Sequence, residues 1–200
     1  MTPALVAALP AFALYTFIQA ITPGPANLCS LATTMRIGVR PALRQWVGLT
    51  IGFFVVMAVA MAALLGATSF IEGALPVLTV AGAAYVLWLA WSMVRPGEGH
   101  GFSGVQPTIG AGVVLQVTNV KLLVMSSTAL VAYVIPYTSD WAVLAAIGFA
   151  VPIVGSACNL AWIYGGVHLQ AFYERHRRPV DAIMAAALAL CAVGMLAALV

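Results

Sequence analysis

The sequence predicts an all-α integral membrane protein: six transmembrane helices in one domain, a 3+3 inverted repeat in which helices 1 and 4 are broken. Three observations carry this. Hydrophobic residues make up 64% of the 200-residue chain and charged residues only 6%, with a mean hydropathy of +1.07. A soluble domain of this size needs far more polar surface. Six apolar runs are each long enough to cross a hydrocarbon core about 30 Å thick, and the basic residues gather in alternate connections between them.

The runs cover Leu5–Thr34, Trp46–Thr68, Leu75–Val94, Thr108–Val134, Trp141–Leu169 and Val180–Val200. Turn residues mark connections at Ser69–Gly73, Pro96–Pro107, Pro136–Asp140 and Tyr173–Pro179. Within the first run, Thr22-Pro23-Gly24-Pro25-Ala26-Asn27 interrupts what should be a continuous helix. Each proline lacks a donor and crowds the carbonyl four residues earlier, here those of Gln19 and Ile21. Lipid offers such carbonyls no partner, so broken backbone at membrane depth must line protein or water.

The fourth run carries the second interruption, Gln116-Val117-Thr118-Asn119-Val120-Lys121. Lys121 is the only lysine in the chain and lies at the midpoint of its run. A charge at that depth costs at least ~2.5 kcal/mol and belongs in a bundle interior or a polar cavity. No acidic side chain deep in a span offers it a counter-ion. One disrupted segment near the middle of each half-chain points to a transporter site where two repeats meet. The halves run approximately 1–100 and 101–200. Thr22 and Thr118 are 96 residues apart and Trp46 and Trp141 are 95 apart, while the third and sixth spans match less closely.

Seven basic residues lie outside the spans' cores: Arg36, Arg40 and Arg44, then Arg95, then Arg175, Arg177 and Arg178. All fall in odd-numbered connections, and the even ones hold Glu72 and Asp140. The positive-inside rule puts the odd connections in the cytoplasm and both termini outside. In a bacterial inner membrane those termini are periplasmic. Spaced four residues apart, the arginine triplet fits one basic face of a cytoplasmic helical extension, and it reads first as an orientation signal with headgroup contacts. Trp46, Trp88, Trp91 and Trp141 read as interface anchors. Gly48 and Gly52 permit close helix packing, either within the fold or in a homo-oligomer. Positive charge appears only after the first run, so the N-terminus does not read as a cleavable signal, and Thr2 stands where myristoylation needs glycine.

Cys29, Cys158 and Cys191 are dispersed through apolar runs, with no Cys-x-x-Cys pair. That pattern predicts no disulfide framework, no metal site and no cofactor. Core packing is the first reading for each. No catalytic constellation appears, so an enzyme is not expected, and neither is a nucleic-acid partner. A membrane thiol–disulfide electron carrier, with Cys29 close behind the first break, and a non-transporting assembly subunit are the alternatives left open. His168 reads first as an interfacial histidine and second, after Lys121, as a group that could carry a proton.

Several stretches resemble the LysE/RhtB family of amino-acid exporters. Thr22-Pro-Gly-Pro-Ala-Asn27 is similar to its signature, and Ala81-Gly-Ala-Ala-Tyr-Val-Leu-Trp-Leu-Ala-Trp91 to its third helix. Most members carry Asn-Pro-Lys in helix 4. Asn119-Val120-Lys121, followed by Thr128-Ala129-Leu130, matches instead the cysteine/O-acetylserine exporter branch. So do the Met1-Thr2-Pro3 opening, the stretch Gly155 to Trp162 with Cys158-Asn159, and Gly166 with His168. Ala26 departs from relatives that often have a second asparagine there. The resemblance implies an inner-membrane exporter of small neutral amino acids, cysteine and O-acetylserine first, exchanging them for protons.

A zwitterion needs a partner at each end. Lys121 is assigned the carboxylate as a compact point charge. The start of the half-helix after Pro25, with Pro23 and Gly24, adds a terminus that favours anions. For the ammonium there remain the carbonyls of Gln19 and Ile21 and the amide oxygens of Asn27, Asn119, Gln116 and Asn159. Asn159 serves an interhelical bond equally well. Lipid, the amino acid and a proton are the expected partners.

Overall fold

A computed structural model describes residues 3–62, 68–94 and 107–197. Arg95 and all of the Pro96–Pro107 connection except Pro107 lie outside the described residues. The elements are α1 (Pro3–Ile21), α2 (Pro25–Ile37), α3 (Val39–Ala62), α4 (Thr68–Val94), α5 (Ile109–Val117), α6 (Val120–Tyr133), α7 (Trp141–Arg175) and α8 (Arg177–Ala197), with a single 3-10 turn at Ile135–Tyr137. Six of the helical segments are long and apolar enough to cross a membrane. The chain is therefore a multi-pass helical membrane protein, as its composition requires.

Both breaks fall where the sequence places them. The first spanning unit is α1 plus α2, interrupted at residues 22–24; the fourth is α5 plus α6, interrupted at Thr118 and Asn119. Helix starts follow local chemistry. Thr108 accepts from the Ala111 amide to cap α5, and Asp140 accepts from the Ala142 amide to cap α7.

Several neighbour relations exchange between the two halves, while the α2–α3 packing has no comparable α6–α7 counterpart. Exchanging α1/α2 with α5/α6, α3 with α7 and α4 with α8 turns the α3–α5 contact into α7–α1 and α2–α7 into α6–α3. The α4–α8 and α3–α7 pairs map onto themselves, and all of these contacts are made. One apolar core joins α2, α3, α4 and α8 around Cys29, Leu89 and Leu188, and a second joins α3, α6 and α7 around Met57, Leu130 and Val151. Outward faces carry Leu14, Val77, Phe149 and Leu190, all strongly exposed, as a hydrocarbon solvent demands.

Three expectations change, and one open choice gains an answer. The turn expected at Ser69–Gly73 is helical, since α4 begins at Thr68. The arginine triplet is not a loop: α2 runs to Ile37, Gly38 alone (φ 94°) turns the chain, and Arg40 and Arg44 sit in α3. A φ in that region favours glycine. Only His176 separates α7 from α8, where a connection over Tyr173–Pro179 was expected. The Gly48–Gly52 step serves the fold. A methyl group on Gly48 would run into the Ile109 carbonyl, one on Gly112 into the Gln45 carbonyl, and one on Gly52 would come within 2.7 Å of Gln116 Cβ. These glycines let α3 and α5 meet backbone to backbone, which draws Gln116 toward the bundle centre.

Candidate substrate site

The first break shows how a helix can stop inside an apolar bundle without stranding its carbonyls. Pro23 and Pro25 remove the donors that Gln19 and Ile21 would have used, and the extended chain withdraws those of Ala20 and Thr22. Replacements arrive one by one. Thr22 Oγ1 donates to the Gln19 carbonyl (3.0 Å), Asn27 Nδ2 to those of Ala20 and Thr22 (both 2.9 Å), and Trp162 Nε1 to that of Ile21 (3.1 Å). Lys121 Nζ donates to the Thr22 carbonyl (3.1 Å), to Thr22 Oγ1 (2.8 Å) and to the Pro23 carbonyl (3.3 Å). The Leu28 amide then reaches the Gly24 carbonyl and the helix resumes.

The two breaks thus meet, and Lys121 joins them. The sequence supplied no counter-ion for this ammonium; the structure supplies three oxygen dipoles instead. Gly24 lets this happen by its size. Its backbone is extended (φ −165°), open to any residue, but an added Cβ would lie 3.2 Å from Lys121 Cδ and 3.4 Å from Nζ.

A polar chain continues from the break into α7. Asn159 Nδ2 donates to Asn27 Oδ1 (2.7 Å), and Ser30 Oγ donates to Asn159 Oδ1 (2.9 Å), all three side chains being buried. Both Asn27 donors and its oxygen are therefore in use, and so is the oxygen of Asn159. Of the expected ammonium partners, Asn27, Asn159 and the Gln19 and Ile21 carbonyls already accept protein hydrogen bonds.

Gln116 and Asn119 differ. The oxygens Gln116 Oε1 and Asn119 Oδ1 are buried and have no hydrogen-bond partner among the described residues. Asn119 opens α6, where asparagine commonly caps with its side chain, yet it makes no such bond here. Two uncompensated amide oxygens in a protein interior cost free energy unless something donates to them.

Two cavities meet at Lys121. The smaller, about 50 Å³, is lined by Gln19, Asn27, Gln116, Asn119, Lys121 and Asn159, with Leu49, Phe53, Leu122 and Met125 as apolar walls. The larger, about 300 Å³, lies between α1, α6 and α8; Pro23, Gly24, Pro25 and Lys121 form its polar side and Val124, Cys191 and Met195 its apolar one. Of the residues singled out in the sequence for substrate contact, all but Ile21 line one of the two; the Ile21 carbonyl faces Trp162 instead.

Other residues at the site were less legible. Trp46, expected at an interface, lines the smaller cavity and donates to the Ser156 carbonyl (2.9 Å). Trp88, Trp91 and Trp141 are exposed, as interface anchors would be. Thr22 and Trp162 stood in quoted motifs, but their roles as cap and donor depend on partners the sequence does not place. Arg36 faces inward: NH2 pairs with Asp181 Oδ2 (3.0 Å) and donates to the Met93 carbonyl (3.0 Å), and Nε donates to Tyr173 Oη (3.1 Å). This cluster ties α2, α4, α7 and α8 at one end of the bundle. Cys29 and Cys158 are buried and unbridged, and Gln45 Nε2 donates to Cys29 Sγ (3.5 Å), an environment of packing. His168 is exposed on α7.

Comparison with known proteins decides the lineage. A cysteine/O-acetylserine efflux protein of Klebsiella pneumoniae is 34% identical over 96% of this chain and 97% of its own length. Proteins of the same name from Escherichia coli K12 and Shigella sonnei are 31% identical over 96% of this chain and 98% of theirs. The chain belongs to the LysE/RhtB family of amino-acid exporters. No family model matches this LysE/RhtB chain, and no solved structure does. Pairwise likeness across nearly its whole length, with both breaks inside it, carries the assignment.

Proposed function

We propose that this chain is an exporter, not an enzyme, that moves small neutral amino acids out through the bacterial inner membrane, with cysteine and O-acetylserine as its first substrates. One observation carries the reading: the Lys121 ammonium and the unpaired oxygens of Gln116 and Asn119 share the lining of one small cavity between two broken helices. An α-amino acid presents a carboxylate and an ammonium a short distance apart. Lys121 takes the carboxylate, and the two amide oxygens take the ammonium. Pro23, Gly24 and Pro25 shape the break, Gln19 lines it, and Asn27 and Asn159 hold it against α7. The apolar walls admit a small uncharged side chain, and no acidic side chain lines the cavity to attract a basic one. The names of the relatives support the same substrates.

The halves at about 1–100 and 101–200 act as inverted repeats of one transporter domain, rocking about the paired breaks. Both termini are periplasmic, because the arginines cluster at the α2–α3 and α7–α8 junctions. Protons are the counter-ion. Lipid surrounds the bundle, and the sparsely buried α1 is the surface a second copy would use.

The test is retention of a labelled amino-acid panel in loaded cells with and without the chain. Cysteine and O-acetylserine should be retained least when it is present. Equal retention of every small neutral amino acid contradicts the proposal. Gln116→Leu and Asn119→Leu should each raise KM about tenfold, the weight of one hydrogen bond to a charged group.

A further inference from the structure

Lys121 has three N–H donors, and all three are engaged at the first helix break. The shortest contact, 2.8 Å, goes to the Thr22 hydroxyl. That hydroxyl has one hydrogen, which it gives to the Gln19 carbonyl at 3.0 Å. It can therefore meet Lys121 only as an acceptor, through lone pairs aimed at Nζ. The same residue offers its carbonyl to Nζ at 3.1 Å. Thr22 thus supplies two of the ammonium's three partners.

A substrate carboxylate can be bound by Lys121 only if Nζ gives up at least one of these contacts. The exchange also runs backwards. When the carboxylate leaves, Thr22 and Pro23 reclaim the donors, and no ammonium is left unpaired at membrane depth, where that costs most. We infer that Thr22 is a positioning residue that competes with the substrate carboxylate for the Lys121 ammonium, weakening binding so that release is fast. The inference rests on the assignment of the carboxylate to Lys121. It concerns a residue that touches the lysine rather than the amino acid.

The competition has an unusual signature. Removing a supporting residue from a binding site ordinarily weakens apparent affinity; removing a competitor strengthens it. Thr22→Val keeps the shape and deletes the hydroxyl acceptor, together with the bond that caps the Gln19 carbonyl, whereas Thr22→Cys keeps a weak donor for that carbonyl and is a poor acceptor. Its KM should fall about three- to tenfold, since two of the three contacts to Nζ survive and only one charge-assisted hydrogen bond is lost. Thr22→Ser keeps the acceptor and should restore the original KM. A merely structural role for Thr22 would lower the maximal rate and leave KM unchanged or raised.

The measurement is concentration-dependent uptake of labelled, reduced L-cysteine into everted membrane vesicles carrying the full chain, normalised to exporter content. A fall in KM for Thr22→Val with recovery in Thr22→Ser supports the inference. A KM unchanged or raised, whatever the maximal rate, overturns it. If the valine chain does not reach the membrane, Thr22→Cys, similar in size with a poor acceptor, carries the same expectation and the same refutation. Lys121→Met in the same vesicles separates the two levels. Uptake by that variant at the original KM removes the carboxylate assignment itself, whereas an inactive Lys121→Met beside an unchanged KM in Thr22→Val removes only the competition.

Discussion

Arg36→Met is the sharpest structural perturbation the bundle offers. The Arg36 side chain is 4% exposed and that of Asp181 19%, with 3.0 Å between charged atoms. Further bonds run to Tyr173 Oη and the Met93 carbonyl. Breaking a buried ion pair from one side costs about 3–5 kcal/mol, because the abandoned charge stays buried. Asp181 is partly exposed and keeps Tyr173 Oη as a donor at 3.5 Å, so the loss should lie at the lower end, about 3 kcal/mol. Asp181→Asn strands the guanidinium and should cost a similar amount. The double variant removes both charges and should recover at least about 1.5 kcal/mol of the summed losses, well beyond the few tenths expected of independent sites. The assay is reversible unfolding of purified chains in mixed micelles, with the four free energies closed as a double-mutant cycle. A coupling below about 0.5 kcal/mol would mean the pair is a surface contact and the inward reading of Arg36 is wrong.

Three further outcomes follow from the same geometry. Gly24→Ala should insert normally yet export poorly, because its Cβ would press on the Lys121 stem at 3.2 Å; efflux normalised to membrane protein checks this, and wild-type export would refute it. Replacing Cys29, Cys158 and Cys191 together by alanine should leave export largely intact, and loss of transport in Cys29→Ala alone, at normal membrane levels, would revive a redox role. Reporter fusions after Val200 and within the Pro96–Pro107 connection should report opposite sides of the membrane, the C-terminal one periplasmic; a cytoplasmic signal at Val200 would break the orientation.

The breaks were legible for different reasons. Prolines announce a lost donor wherever they stand, so the first break and its orphaned carbonyls could be read directly. The second has no proline, and only the cost of a mid-membrane lysine exposed it. What could not be read was who answers whom. The Gln19 carbonyl is capped from three residues away, that of Ile21 by Trp162 in another helix, and neither pairing leaves a pattern along the chain. Arg36 was read as a loop charge because the helix end was placed too early, and Asp181 is its partner only in three dimensions. Gly48 and Gly52 announced close packing without saying against what; α5 is the answer. Gln116 and Asn119 stand apart from the other amides only once every donor around the break has been assigned.

Lys121→Met tests the central claim most directly. The methionine chain loses the ammonium that joins the two breaks but keeps the stem that fills the space beside Gly24. Thr22 retains its bond from Asn27, so the break is weakened rather than opened. Efflux of labelled cysteine and O-acetylserine from loaded cells, normalised to exporter in the membrane, should fall to background. Lys121→Arg should also be badly impaired, since a planar guanidinium cannot replace a compact ammonium among three converging oxygens. Substantial efflux by the methionine chain would mean that Lys121 holds the helix break and nothing more, and that the carboxylate binds elsewhere.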